Sequence, residues 1–216
     1  MLDLSERIET GALTSLYEVG AAMEHCYFPE RGVVALIVRL ADGFESASGM
    51  VGPEGLIGLG ALADDNLPAP NAFVVQIPFS GWRIRSTLMR AAMLRSPVVL
   101  DRVLRFDQAI KSQIAQTVVC NRRHNVQQRL ARWLLMASDR TVGDELPLTH
   151  EFLSAAIGAQ RASVTLAAKL LRDAGAIQYH HGRVRIRDRR RLKAISCECY
   201  GVVRAHYQRL LNWPSL

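Results

Sequence analysis

The chain has 216 residues, 49% of them hydrophobic, which is enough for one large core or two modest ones. No apolar run approaches the roughly 18 to 20 residues of a membrane-spanning helix, and the N-terminus lacks a secretory-signal pattern, so we expect a cytoplasmic protein. The net charge of +7 arises in residues 140–216, which hold 13 Lys and Arg against 6 Asp and Glu, whereas residues 1–139 hold 14 of each. Such a concentrated positive charge attracts phosphate backbones, and nucleic acid is the expected partner of this part.

The N-terminal part has the pattern of a β-rich domain. From about Glu24 to Arg85, short apolar runs such as Val33–Leu40 and Phe73–Ile77 alternate with glycines and prolines. This rhythm is typical of short strands joined by turns. We therefore predict a small β-sandwich or β-roll, flanked by helical material at the N-terminus.

A long helix is predicted after Pro97, where glycine and proline nearly vanish. Apolar residues recur there at three- and four-residue steps. The resulting seam consists of Val99, Val103, Phe106, Ile110, Ile114 and Thr117. Leu100 and Leu104 widen the apolar stripe, so one face can meet the β-rich domain while another meets a partner helix. We favour the seam as the contact of a parallel homodimer, with packing inside one chain as the alternative.

A polar break at Asn121–Asn125 precedes a further amphipathic helix, and residues 148–186 then predict two short helices and a basic hairpin. Thr149 suits the start of the first helix, Gly158 a tight turn, and Gly175 the end of the second helix. The second helix has an inward face with helical spacing, made of Val164, Ala167, Ala168 and Leu171. This order is typical of a winged helix-turn-helix, which reads DNA.

The outward residues of the second helix are the predicted DNA contacts. Arg161 has the length and the fork geometry to bind guanine O6 and N7, and Leu166 suits a thymine methyl group. We expect base contacts from Arg161, Ala162, Thr165 and Leu166. Phosphate contacts are expected from Thr149, Gln160, Ser163, Lys169, His180 and Arg183.

The four cysteines do not have the spacing of a known site. Cys26, Cys120, Cys197 and Cys199 form no C-x-x-C pair and no zinc-type arrangement with histidine. We expect Cys197 and Cys199 to be packing residues on different faces of the last helix. Neither a disulfide framework, nor a metal site, nor a cofactor is predicted.

From Thr149 to Ile186 the chain resembles the winged helix-turn-helix of the Crp/Fnr family, the cyclic-AMP receptor and fumarate/nitrate regulators of bacteria. The turns FPERG (Phe28–Gly32) and GPEGLIG (Gly52–Gly58) and the order of parts extend this resemblance over most of the chain. It implies an α+β architecture with a cyclic-nucleotide-binding-like β-roll effector domain at residues 1–96. A dimerisation helix with the following helix and hinge occupies residues 97–140, and the winged domain occupies residues 141–216.

The same resemblance implies a homodimer that reads two half-sites about one DNA turn apart. Arg161 matches the family's first base-reading arginine, and Ser163 matches its phosphate-contacting hydroxyl. Ala162 and Leu166 stand where prototypes carry a glutamate and an arginine that contact bases, so a different operator is expected.

The effector region also departs from the family. Its cyclic-nucleotide pocket pairs a Gly-Glu stretch with an Arg-Ser or Arg-Thr that binds the phosphate. Here Gly52–Gly55 remains, but the second stretch reads Ala69–Ala72 without arginine. Because a cyclic phosphate would then lack its cation, we do not expect cyclic-nucleotide control. An iron-sulfur cluster is not expected either, because only Cys26 lies near the N-terminus.

The predicted function is a dimeric, sequence-specific transcription regulator with double-stranded DNA as partner, RNA polymerase as a further candidate partner, and an open effector. The alternative is a non-enzymatic protein-docking or ligand-sensing module that does not read bases, motivated by the apolar Ala162 and Leu166. An enzyme is not expected, since the sequence has no nucleophile elbow, Walker-type loop, zinc signature or dinucleotide fingerprint.

Overall fold

The computed structural model describes residues 5–64, 67–143, 145–180 and 182–213. The N-terminal part is an antiparallel sheet in the order β1-β5-β3-β4, with β2 also pairing with β5. Its strands are β1 (Ser5–Thr10), β2 (Ser15–Tyr17), β3 (His25–Arg39), β4 (Glu45–Val51) and β5 (Ala72–Arg85). The expected helical material at the N-terminus is wrong for the described residues, because Ser5–Thr10 pairs with the second half of β5.

The ladder between β3 and β5 is interrupted by register shifts between Pro29 and Val34. Bulges of this kind bend a strand and increase its twist. Gly32 lies in this region with φ of 97°, and a Cβ on it would lie 2.4 Å from the Pro78 carbonyl oxygen. Only glycine fits this close approach. The FPERG segment, expected to be a turn, therefore lies inside β3, where its irregular pairing bends the strand and shapes the roll.

Strand β3 is buried on both faces, which explains its continuous apolar run. Val34 and Leu36 belong to the core inside the roll. Val33, Ala35 and Ile37 belong to a second core that includes the helices of the C-terminal part. The sheet is therefore covered on both sides, and an alternating pattern is absent for that reason.

Three helices follow the sheet: α1 (Ser86–Arg95), α2 (Pro97–Arg123) and α3 (Val126–Ser138). The Ser96 side chain accepts a hydrogen bond from the Val99 amide, and Pro97 occupies the first turn of α2. Asn125 and Gln128 form a capping box at the start of α3, so the predicted polar break separates the two helices. Among the described residues, no helix combines the length and the apolar character needed to cross a membrane.

The described residues of the C-terminal part form a three-stranded sheet in the order β6-β8-β7 and four helices. Its elements are β6 (Glu145–Leu146), α4 (His150–Ile157), α5 (Arg161–Asp173), β7 (Ile177–His180), β8 (Arg183–Ile186), α6 (Arg189–Ile195) and α7 (Cys199–Leu211). Strand β6 pairs with β8 and lies just before the helix-turn-helix. Helix α7 packs along α2, which attaches the C-terminal part to the long helix.

The predicted dimer seam is wrong, because its residues are buried or half-buried within a single chain. Five of them pack into the core of the β-roll: Val99, Val103, Phe106, Ile110 and Ile114. Thr117 is buried and donates a hydrogen bond of 2.9 Å to the Gln113 carbonyl. The alternative of packing within one chain is therefore correct for this face.

A different apolar face of α2 is exposed. Leu104 is 57% exposed and Val118 is 67% exposed, and Leu100 and Val119 are also accessible. These residues lie on the side of the helix turned away from the roll. Helical periodicity predicted an apolar stripe but did not show which part of it meets the chain's own core.

Candidate nucleic-acid interface

Helices α4 and α5 form a helix-turn-helix whose local signals agree with the sequence. The Thr149 hydroxyl accepts a hydrogen bond of 3.2 Å from the Phe152 amide, which starts α4. Gly158 ends α4 with φ of 58°, a left-handed conformation that favours glycine. Gln160 makes no side-chain capping hydrogen bond at the start of α5. The inward residues of α5 are fully buried, namely Val164, Ala167, Ala168 and Leu171.

The outward face of α5 is free for a partner. Arg161, Ala162, Thr165 and Lys169 are exposed, and Leu166 is 58% exposed. Ser163 is half-buried at the flank. The four predicted base-reading residues therefore share one accessible surface, which has a cation at its N-terminal end and an apolar side chain in its middle.

A polar network lies beside this surface and was missed by the sequence analysis. The Thr165 hydroxyl donates to the Arg161 carbonyl at 3.0 Å and lies 3.1 Å from His150 Nδ1. The His150 ring stacks on Tyr179 of β7, with ring centroids 4.2 Å apart. Burial lowers the pKa of His150, and the charge of Arg161 lowers it further, so both effects favour the neutral imidazole. The network joins α4, α5 and the hairpin.

The hairpin between β7 and β8 carries two predicted phosphate contacts. His180 and Arg183 are both exposed. Arg183 Nη1 lies 2.8 Å from Glu145 Oε1, in an ion pair that the sequence did not suggest. Surface ion pairs contribute little to the free energy of folding. Arg183 can therefore leave the Glu145 carboxylate and bind a phosphate with little loss of stability.

Not every arginine of the basic C-terminal region faces outward. The Arg189 guanidinium binds Asp139 and, at 2.9 Å, the Tyr200 hydroxyl. Arg191 Nη1 donates to the Ala174 carbonyl at 3.1 Å. Part of the basic run after β8 therefore holds α6 in place and leaves fewer cations for DNA.

Two contacts connect the helix-turn-helix and its hinge to the β-roll. A Cβ on Gly158 would lie 2.6 Å from Ser46 Oγ, so the turn between α4 and α5 approaches β4 closely. Arg140 Nε lies 2.7 Å from Glu54 Oε1, and both side chains are almost fully buried. The Glu54 carboxylate of the GPEG turn therefore binds Arg140, the second residue after α3, and this arginine also donates to the Met136 carbonyl at 2.9 Å.

The structure corrects the interpretation of the cysteines. Cys197 precedes α7 and Cys199 begins it, and both lie beside Cys120 and His124 at the end of α2. The metal-ligating atoms of these four residues all lie within 4.8 Å of one another. Cys120 and Cys197 are 77 positions apart, so no short spacing could have revealed the cluster.

Comparisons with known proteins agree with this geometry. Residues 128–195 match the family model of the Crp-like helix-turn-helix domain. No curated protein sequence is similar enough to the chain to count as a match.

Solved structures share the fold over nearly the whole chain. FixK2 from Bradyrhizobium japonicum has a TM-score of 0.75 at 17% identity, over 89% of this chain and 98% of that protein. TTHB099, a transcriptional regulator of the CRP family from Thermus thermophilus, has a TM-score of 0.74 at 20% identity, over 88% and 96%. The c-di-GMP-responsive global regulator CLP of Xanthomonas campestris has a TM-score of 0.69 at 16% identity, over 87% and 96%. The chain therefore has the α+β fold of these regulators, and its residues 128–195 match a Crp-like helix-turn-helix domain.

Proposed function

We propose that this protein is a sequence-specific, DNA-binding transcription regulator that acts as a homodimer in the cytoplasm. The observation that carries the proposal is the exposed face of α5, with Arg161 at its start, in a Crp-like helix-turn-helix domain. A helix with this exposure fits the major groove. The positive charge of residues 140–216 supplies the salt-dependent attraction to DNA.

In this proposal Arg161, Ala162, Thr165 and Leu166 contact bases. Ser163, Gln160, Lys169, His180 and Arg183 contact phosphates, together with Thr149 next to the wing. The exposure of Arg161 and Leu166 supports their assignment. The Thr149 hydroxyl accepts a backbone hydrogen bond, which leaves its own hydrogen available to donate to a phosphate oxygen. The three proposed domains are residues 1–96, 97–140 and 141–216.

Replacing Arg161 by alanine should weaken binding to the specific operator by about 1 to 3 kcal/mol and relax the choice of one base. Binding to random duplexes should change far less, because the side chain binds guanine rather than the backbone. The operator is first selected from a pool of random duplexes, and affinities are then measured by fluorescence anisotropy at fixed salt.

Two arginines serve as controls for this experiment. Arg183→Ala should weaken specific and random duplexes alike, whereas Arg172→Ala, at the far end of α5, should change neither. Equal losses on both kinds of DNA for Arg161→Ala would reject its base-reading role. If the selection recovers no operator, and the chain instead binds a partner protein with an affinity that does not depend on salt, the docking alternative is favoured. The exposed Leu166 suggests that alternative.

The proposed dimer uses the exposed face of α2. Its exposed residues recur at steps of four and three, the spacing of a coiled-coil seam: Leu104, Gln108, Lys111, Ala115 and Val118. The buried face on the other side of α2 belongs to the roll, so the two roles do not compete. Two α5 helices held by such a dimer can read two half-sites of one operator.

Changing both Leu104 and Val118 to glutamate should raise the dimer dissociation constant by more than about 100-fold, because the seam would bury unpaired carboxylates. The change should be visible by analytical ultracentrifugation. The control is Leu94→Glu on α1, a side chain that is 72% exposed and lies outside α2. A variant that stays dimeric at low concentration would show that the dimer uses another surface.

We further propose that the effector is not a cyclic nucleotide. The Glu54 carboxylate is already bound to Arg140 inside the protein. Ala69–Ala72 supplies no arginine for a cyclic phosphate. RNA polymerase is a candidate partner of the DNA-bound dimer.

A further inference from the structure

We propose that Cys120, His124, Cys197 and Cys199 form a structural Zn²⁺ site that fastens the end of α2 to the start of α7. Three thiolates and one imidazole are a common ligand set of closed, four-coordinate zinc sites. The four residues come from two segments that are far apart in the sequence and meet only in the fold.

The distances within the cluster fit tetrahedral coordination. Cys120 Sγ lies 3.5 Å from Cys197 Sγ, and Cys199 Sγ lies 3.6 Å from His124 Nδ1. With Zn–S bonds of about 2.3 Å and Zn–N bonds of about 2.0 Å, a tetrahedron has S–S edges of about 3.8 Å and S–N edges of about 3.5 Å. These two distances are within a few tenths of an ångström of the tetrahedral edges, and the remaining separations, at most 4.8 Å, require a contraction of no more than about 1 Å.

Local structure presents the ligands in pairs. Cys120 and His124 are four residues apart at the C-terminal end of α2, so they lie on the same side of the helix. Cys197 and Cys199 flank Glu198 at the start of α7. All three thiols are buried, and they form a cluster of their own rather than part of an apolar core.

Neighbouring residues orient the ligands. His124 Nε2 lies 3.1 Å from Glu198 Oε2, which places the imidazole proton on Nε2 and leaves Nδ1 as a ligand atom. The Gln116 side-chain amide donates to Cys199 Sγ at 3.1 Å. A carboxylate on the outer histidine nitrogen and an N–H donor on a ligating sulfur are typical second contacts of a metal centre.

The surrounding charge also favours an anionic centre. Three thiolates, a neutral imidazole and Zn²⁺ carry a net charge of −1. Arg132 is 3% exposed, and no carboxylate among the described residues forms an ion pair with it. Arg132 lies close enough to Cys120 for its charge to act on this thiol. A zinc–thiolate centre would provide the missing counter-charge for this buried arginine.

A metal bound at this site would hold the C-terminal part in its position against α2. Tyr207, further along α7, receives a hydrogen bond from Gln113 of α2, so a second contact already joins these helices. A metal at the start of α7 would add a bond that forms only when both helices are in place. Such binding stabilises the folded arrangement by mass action.

The test uses the full-length protein, purified with a thiol reductant and reconstituted with zinc. Elemental mass spectrometry should give about one Zn²⁺ per chain. Replacement by Co²⁺ should give the intense visible bands of a tetrahedral site and a near-ultraviolet thiolate-to-cobalt charge-transfer band. Chelation should lower the thermal midpoint of unfolding.

Two ligand variants and one matched control complete the design. Cys199→Ser and His124→Gln should reduce the zinc content to less than about one tenth at the same free zinc concentration. Cys26→Ser should retain the full metal content, because this buried thiol lies in the β-roll and hydrogen-bonds to the Gly58 carbonyl instead.

The spectrum of the unmutated protein decides the proposal even where a variant fails to fold. Absence of retained zinc and of the cobalt charge-transfer band would overturn it. Iron with inorganic sulfide, or a Cys120–Cys197 disulfide that persists in the presence of the reductant, would also overturn it in favour of different chemistry.

Discussion

Replacing Phe106 by alanine should lower the free energy of unfolding by about 3 to 5 kcal/mol and leave dimer assembly unchanged. Phe106 is 3% exposed and belongs to the core of the β-roll. A Cβ added to Gly55 would lie 2.0 Å from the Phe106 ring, so this ring packs directly on the GPEG turn. Its removal would leave a cavity between α2 and the roll.

The neighbouring Leu104 provides the matched control, since it lies on the same helix but is 57% exposed. Leu104→Ala should change the free energy of unfolding by less than about 1 kcal/mol when both proteins are monomeric. Urea titrations followed by circular dichroism measure the free energy of unfolding, and analytical ultracentrifugation separately measures dimer assembly. A Phe106→Ala protein that keeps its stability but no longer dimerises would show that the seam predicted from the sequence is the dimer contact.

Replacing Glu54 by alanine should cost about 3 to 5 kcal/mol of folding free energy, because it leaves the Arg140 charge buried without a counter-charge. The side chains of Glu54 and Arg140 are 0% and 4% exposed, and their ion pair is 2.7 Å long. Arg140 also lies over the Tyr207 ring, with its guanidinium carbon 5.1 Å from the ring centroid. One buried arginine therefore connects the GPEG turn, the end of α3 and helix α7.

The exposed pair of Arg39 and Glu45 gives the comparison, with Nε and Oε1 2.6 Å apart. Glu45→Ala should cost less than about 1 kcal/mol, since water solvates the remaining arginine. The double variant Glu54→Leu with Arg140→Met should recover most of the stability, because it removes both buried charges. If Glu54→Ala were as mild as Glu45→Ala, the carboxylate would not be the counter-charge of Arg140.

The helix-turn-helix was largely predictable because its signals are local. The cap at Thr149, the turn glycine at Gly158 and the apolar spacing of α5 lie within a few residues of the contacts they specify. The network of His150, Thr165 and Tyr179 was not predictable, because it joins a helix start, a helix face and a strand.

Helix α2 shows what the spacing of apolar residues cannot predict, namely which of their faces is buried. Its sequence carries apolar residues on more than one face, and spacing alone does not say which face meets the roll. Phe106 and Leu104 are both large and apolar and stand two positions apart, yet one is buried and the other is exposed.

By itself, the sequence determined the order of parts, the helix-turn-helix with Arg161 at the start of its second helix, and the location of the positive charge. These features depend on composition and on interactions between near neighbours in the chain. Only the tertiary structure decided which side of α2 is buried, that Glu54 binds Arg140, and that Cys120, His124, Cys197 and Cys199 converge. The physical reason is that each of these depends on contacts between distant segments, which form only when the β-roll and the terminal helices pack against α2.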